Sequence, residues 1–187
     1  MPNPLGRALR NRRAGHDTLG WARAELAAAE NFVLTSPAFE HGSTIPAQYR
    51  GRILGKDLSP ALAWTAPPPG TVELVLVVED PDVPFGRAAT HVLACGIDPG
   101  LREIPEGGLA NPSPLGGLRH GRGVMGHRGW AGPMPVPSHG PHAYVFQLYA
   151  VDRPLGLPPS FGLSDVIRAV GGHVVGRARL DGMYENP

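Results

Sequence analysis

The sequence predicts an all-β fold, an antiparallel Greek-key β-sandwich with a few short helices, and three observations carry that reading. Short apolar runs rich in β-branched residues recur between turn-formers, most clearly at Val72-Glu73-Leu74-Val75-Leu76-Val77-Val78-Glu79. Helical periodicity is sparse. The strands do not alternate regularly with helices, as they would in a parallel sheet. With 26 glycines and 22 prolines in 187 residues the chain is rich in turns, yet too apolar in its strands to be disordered. That length suits one domain with a substantial core. We assign it to residues 31–187, preceded by an Arg/Ala-rich arm over residues 1–30.

The arm carries Arg7, Arg10, Arg12 and Arg13, but the apolar stretch of an export signal does not follow. Residues 17–30 are expected to form a short helix, with Ala24, Leu26, Ala27 and Ala28 as good formers. Either the arm is a solvated or surface-docked terminus, or it packs on a partner subunit through Trp21 and the arginines. From Asn31 the pattern turns to strands. Residues 32–35 form a short one, ended by Ser36-Pro37, and a loop follows through Gly42 and Pro46. Asp57 to Trp64 comes next, before the breaker Pro67-Pro68-Pro69-Gly70. The main strands are 72–79, 91–97 and 143–151. Between the last two lies an irregular stretch, about 105–141, crowded with Gly and Pro; loops of that length are often functional. Near the C-terminus Ser164 is the expected N-cap of a helix. Asp165 sits in its first turn, and Val166, Ile167, Val170 and Val174 recur at helical spacing. Residues 177–184 then alternate like an edge strand.

Charge and cysteine content exclude several functions. The chain has 17 basic and 16 acidic side chains, so no broad field favours nucleic acid. A single cysteine, Cys95, excludes an internal disulfide and a multi-cysteine zinc site, and its apolar surroundings predict an inert buried thiol. No segment has the 18 or so apolar residues of a membrane span. A cytoplasmic protein without cofactor or metal is expected.

The chemistry gathers at strand ends. Gly140-Pro141 delivers His142 into an apolar strand, with His142, Tyr144, Phe146 and Leu148 on one face and Gln147 as the polar exception on the other. That spacing sets an imidazole and a phenol about 7 Å apart along the strand. On the best strand, Asp80 continues in phase with Val72, Leu74, Leu76 and Val78, where a carboxylate needs a partner. His91 opens the next strand, in phase with Leu93, Cys95 and Ile97. Singly, each has a structural explanation: Asp80-Pro81-Asp82 is a turn signal, and either histidine fits a hydrogen-bonded core role. Together, if the strand ends meet, they make a cationic pocket for an anion, with Asp80 orienting an imidazole. Glycines near Gly129 and Gly132 are placed to bring backbone N–H groups to it.

Asp80-Pro81-Asp82-Val83-Pro84, His91 entering a strand, and Gly132-Pro133 ahead of Gly140-Pro141-His142-Ala143-Tyr144 resemble the phosphatidylethanolamine-binding protein family. The match is closer to its bacterial and archaeal branch, often called Raf-kinase-inhibitor-like proteins. Leu58-Ser59-Pro60 and Ile104-Pro105-Glu106-Gly107 are similar to further segments of that family, and the resemblance runs from about Phe32 to Tyr184. It implies a β-sandwich with a small pocket at one end for phosphate-like anions or phospholipid head groups, lined by Asp80, His91, His142 and Tyr144. Asp82, Pro84, Gly132 and Pro133 would stand at its rim. It also implies binding and regulation rather than catalysis, with a protease or kinase as a possible protein partner. The chain departs from the animal members at Ala88-Ala89-Thr90 and at Ala143, which weighs against kinase inhibition.

Three functions compete. The first is a non-enzymatic binding module for a small anion or phosphorylated head group. The second is an inhibitor acting through surface loops near Arg119 and Arg122. The third is a hydrolase with His91 or His142 as general base and Asp80 as orienter. A metal on Asp80, His91 and His142 is a variant of the third, although His139 and His142 lack an established zinc spacing. Exposed sheet edges make a homodimer the expected assembly.

Overall fold

A computed structural model describes residues 3–53 and 55–186. Its strands are β1 (Leu34–Thr35), β2 (Leu62–Trp64), β3 (Glu73–Asp80), β4 (Ala89–Ile97), β5 (Glu103–Ile104), β6 (Arg119–His120), β7 (His142–Val151) and β8 (Val174–Tyr184). Two α-helices accompany them among the described residues, α1 (Pro4–Leu9) and α2 (Leu163–Val170). A small sheet, β1-β2-β5, faces a large one, β6-β4-β3-β7-β8, and the strand pairs within each are antiparallel.

Alternation explains the layers. Leu74, Leu76 and Val78 of β3, with Tyr144, Phe146 and Leu148 of β7, point inward against Leu34, Leu62, Trp64 and Ile104. Their neighbours Val75, Val77, Tyr149 and Val151 point outward, where Leu26, Leu155, Leu157, Phe161, Val166 and Val170 cover them. Both faces of the large sheet are therefore buried, which is why β3 and β7 are apolar almost without interruption. Each large aliphatic side chain so buried contributes about 1.5–3 kcal/mol.

Part of the outer cover comes from the arm. Leu19 and Leu26 are fully buried, and Trp21 packs on Tyr149. The helix expected over 17–30 is absent; three short 3-10 turns, His16–Thr18, Gly20–Ala22 and Ala24–Leu26, replace it. Two causes are visible. The Gly20 N–H donates to Glu79 Oε2 at 2.7 Å instead of entering a helical ladder. Extended residues at Leu19 and Arg23 separate the turns, with a third at Ala27 ending the last, and let Leu19 and Leu26 both reach the sheet.

α2 also differs at its ends. Its N-cap is Gly162, whose N–H donates to Asp165 Oδ2 at 3.0 Å, so Ser164 lies inside the first turn. Val174 opens β8 rather than extending the helix, because the chain turns at Gly172 with φ of 77°. β8 stands at the sheet edge beside β7. The irregular stretch before β7 contains β6 and one 3-10 turn, Val124–Gly126.

Candidate functional site

Asp80 ends β3, His142 opens β7, and the antiparallel pairing of those two strands brings the residues together. His142 Nδ1 lies 2.7 Å from Asp80 Oδ2, and both side chains are 2 % exposed. Asp80 Oδ1 accepts the Asp82 N–H at 2.7 Å, so both carboxylate oxygens are occupied. A carboxyl group is tolerated at this depth because it is hydrogen-bonded and faces an imidazole.

His91 reaches the same group by an irregularity. Val78 pairs with Val92, but Glu79 pairs with Thr90, so His91 is the extra residue of a β-bulge. Strict alternation would have sent it outward with Leu93 and Cys95, which do line the outer cluster. The bulge re-aims it inward, where its ring meets Tyr144 edge-on at 5.0 Å between centroids. The expected phase with Leu93, Cys95 and Ile97 is thus corrected. Ile97 faces inward because a second bulge in β4 shifts the register between Leu74 and Leu76.

His91 Nδ1 donates to the Ala131 carbonyl at 2.7 Å, which leaves Nε2 as the ring's uncommitted nitrogen. Burial lowers its affinity for a proton, and the nearby Asp80 charge opposes that effect. The residue is nonetheless half-buried, unlike the enclosed Asp80 and His142. Burial and then the Asp80 charge raise the Tyr144 pKa, so its hydroxyl stays protonated, with the Met134 N–H directed at it.

The remaining sequence-derived residues are placed less directly. Asp82 Oδ2 accepts the Ala143 N–H at 2.7 Å and Oδ1 pairs with Arg13 at 2.8 Å. Pro84 is half-buried two residues further along the same turn. Gly132 and Pro133 lie between Ala131 and Met134, both of which touch pocket residues. The Gly132 N–H, however, donates to Asp57 Oδ1 at 3.2 Å, and a Cβ there would strike the Tyr49–Gly51 backbone. Its glycine is required by that close approach. The expectation of a Gly132 N–H aimed at a ligand is not met.

Sequence reasoning missed one member. His139 is fully buried, and its Nδ1 lies 2.7 Å from His142 Nε2. Its Nε2 lies 2.9 Å from the Leu9 carbonyl and 3.2 Å from that of Arg12. Gly140, at φ of 104°, turns the chain so that the two rings meet although Gly140-Pro141 separates them. The signal available was the pair itself, two histidines flanking a turn former.

Two open clefts lie elsewhere. One, of about 530 Å³, is lined by Asp57, Asn111, His127 and Arg128. The other, of about 570 Å³, sits on the outer face beside Arg23, Glu79, Arg87 and Arg122. Between them these clefts hold a single buried ionisable side chain, Glu79, whereas the cluster at Asp80 joins three in one hydrogen-bonded chain. Among the described residues no group of three or more His, Cys, Asp or Glu is arranged to hold a metal ion.

Comparison with known proteins agrees with the fold. Residues 35–185 match the family model described as phosphatidylethanolamine-binding protein. A protein of Aquifex aeolicus named UPF0098 is 35% identical over 151 residues, covering 80% of this chain and 86% of its own. A Mycobacterium tuberculosis relative that carries a lipoprotein name, LppC, is 35% identical over 158 residues, covering 84% of this chain and 74% of its own. Among solved structures, a phosphatidylethanolamine-binding protein homologue from Chlamydia trachomatis superposes with a TM-score of 0.75 at 29% identity. It covers 85% of this chain and all of that one. YbcL of Escherichia coli gives 0.78 at 23% identity over 83% of this chain and 99% of that one, a likeness of fold. Among the described residues no helix is long and apolar enough to cross a membrane.

Proposed function

The chain belongs to the phosphatidylethanolamine-binding protein family, and on that premise we propose that it is a non-enzymatic binding protein whose pocket takes a phosphate-like anion or a phosphorylated head group. The observation that carries this reading is the hydrogen-bonded chain Asp80–His142–His139, with half-buried His91 beside the same carboxylate. His142 has both ring nitrogens committed inside the protein, which favours an electrostatic role over proton transfer to a substrate. His91 presents the free nitrogen. Protonated, it would donate to an anion; Tyr144 would supply a neutral hydroxyl. Asp82 and Pro84 on one side, and Gly132-Pro133 on the other, would frame the entrance.

Thermal unfolding in the presence of inorganic phosphate or O-phosphoethanolamine tests the pocket. A ligand that prefers the native state raises Tm in proportion to its saturation. His91→Ala should abolish the rise while leaving the protein folded, because His91 is the member closest to solvent. A rise of the same size in that variant would remove the pocket from consideration.

A further inference from the structure

The hydrogen bonds of the buried chain fix how many protons it holds. Carbonyl oxygens only accept, so His139 Nε2, facing those of Leu9 and Arg12, must carry a hydrogen. One proton lies in the link between His139 Nδ1 and His142 Nε2, and one between His142 Nδ1 and Asp80 Oδ2. The three groups therefore share three protons, where a carboxylate with two neutral imidazoles would hold two. The cluster has no net charge; an imidazole is a stronger base than a carboxylate, so the third proton rests with the two rings, whose shared imidazolium balances the Asp80 carboxylate. The other charged groups close by are Asp82, itself paired with Arg13, and His91, which burial holds toward its neutral form.

Two of the acceptors in this count belong to the N-terminal arm, which lies outside the residues matched to the family model. We infer that the arm is a working part of the pocket: the Leu9 and Arg12 carbonyls keep the hydrogen of His139 on Nε2 and thereby oblige the His139–His142 pair to hold an extra proton. With the arm lifted, water would replace those carbonyls, and water donates as readily as it accepts. His139 would then carry its hydrogen on Nδ1 alone and donate it to His142 Nε2. Every link would survive with one proton fewer, and the cluster would become an anion directly beneath the site. The arm thus sets the charge that an incoming anion meets. Arg13 supports the same effect at the rim, where its Nη1 donates to the Pro141 carbonyl at 2.9 Å and to Asp82 Oδ1 at 2.8 Å.

The docking of the arm offers a clean way to disturb it. α1 is capped by the Asn3 side chain and lies on the Pro137–His139 backbone through Gly6, where a Cβ would collide with the Pro137 carbonyl oxygen. Gly6→Ala should lift α1 without altering any pocket side chain. The experiment is the ¹⁵N spectrum of the histidine rings in the full chain at neutral pH, without ligand. The wild type should show an imidazolium shared by His139 and His142 and a through-bond coupling across their N···N link. Gly6→Ala should show two neutral rings. Neutral rings in the wild type would overturn the proposal, and so would an imidazolium that persists once α1 has lifted. Should Gly6→Ala unfold the protein, Asn3→Ala loosens the same helix more gently and must move the ring signals the same way; unmoved signals with a detached helix would count against it.

This inference deepens the anion-pocket reading and rests on it only for its consequence. Adding one negative charge near the site should weaken inorganic phosphate binding roughly tenfold or more at an intermediate effective dielectric. If phosphate binds neither form, the ligand reading fails while the ring spectra still judge the arm.

Discussion

Glu79 and Asp80 are consecutive carboxylates at the end of one strand, both buried to within 2 % of full enclosure, yet they have been given opposite environments. Asp80 points inward and meets imidazoles. Glu79 points outward and meets only neutral donors: the Gly20 N–H at 2.7 Å and the Gln147 side-chain amide at 2.9 Å. Tyr149 completes that network by donating to Gln147 Oε1 at 2.6 Å, which explains why β7 tolerates a buried glutamine. Burial raises the pKa of Glu79, and its hydrogen bonds and the more distant Arg23 only partly offset this. One peptide unit of separation across a sheet has thus produced an ion-pair site on one face and a neutral polar seal on the other. Residue type does not decide function here; the partners reached through the pleat do.

The contrast predicts unequal costs. Asp80→Asn leaves the imidazolium without its counter-charge and should destabilise the fold by about 3–5 kcal/mol, with loss of phosphate binding. Chemical denaturation of the variant checks it, and a cost below that of the outer-face variants would erase the distinction. Gln147→Leu strands Glu79 and Tyr149 together and should cost about 1–3 kcal/mol in the same measurement.

Two pH dependences sharpen the comparison. Inside, burial lowers the pKa of His91, so the empty pocket holds it neutral until pH falls below the usual histidine range. Phosphate affinity should therefore rise as pH falls through that range, since the anion binds the protonated ring. An isothermal titration series that stays flat from acid to neutral pH would contradict it. Outside, the raised Glu79 pKa means its stabilising contribution is complete below the unfolded carboxyl value. That contribution is lost as pH rises through the folded one. Glu79→Gln should then lie within about 1 kcal/mol of wild type in acid. It should gain relative to wild type as pH rises, visible as a narrowing or reversal of the Tm difference. The smallest effect is at Cys95, fully buried on the same outer face with its thiol pushed up to about 11. It should react with a thiol reagent only as fast as the sheet opens, and so report the integrity of the outer seal.

What could be read without coordinates follows physical periodicity. The alternation in 72–80 put Asp80 in phase with Leu74, Leu76 and Val78, and that in 142–151 put His142 in phase with Tyr144; the structure turns both rows inward and sets them side by side because β3 and β7 pair without a bulge between Glu73 and Glu79. His91 escaped the same reasoning, since one extra residue in β4 reverses the face of everything beyond it. His139 escaped because a Gly-Pro turn has no period to follow.

The linear chain by itself determined the β-sandwich, its two-sided central strands and the carboxylate and imidazole waiting at their ends, because strand geometry sends successive side chains to opposite faces and burial of both faces makes those strands continuously apolar. Only the folded molecule decided that a bulge turns His91 inward, that Glu79 and Asp80 serve different faces, and that two carbonyls of the arm hold the last hydrogen of the buried chain. These are contacts between distant segments, and no local pattern encodes which donor a folded backbone will present to which acceptor.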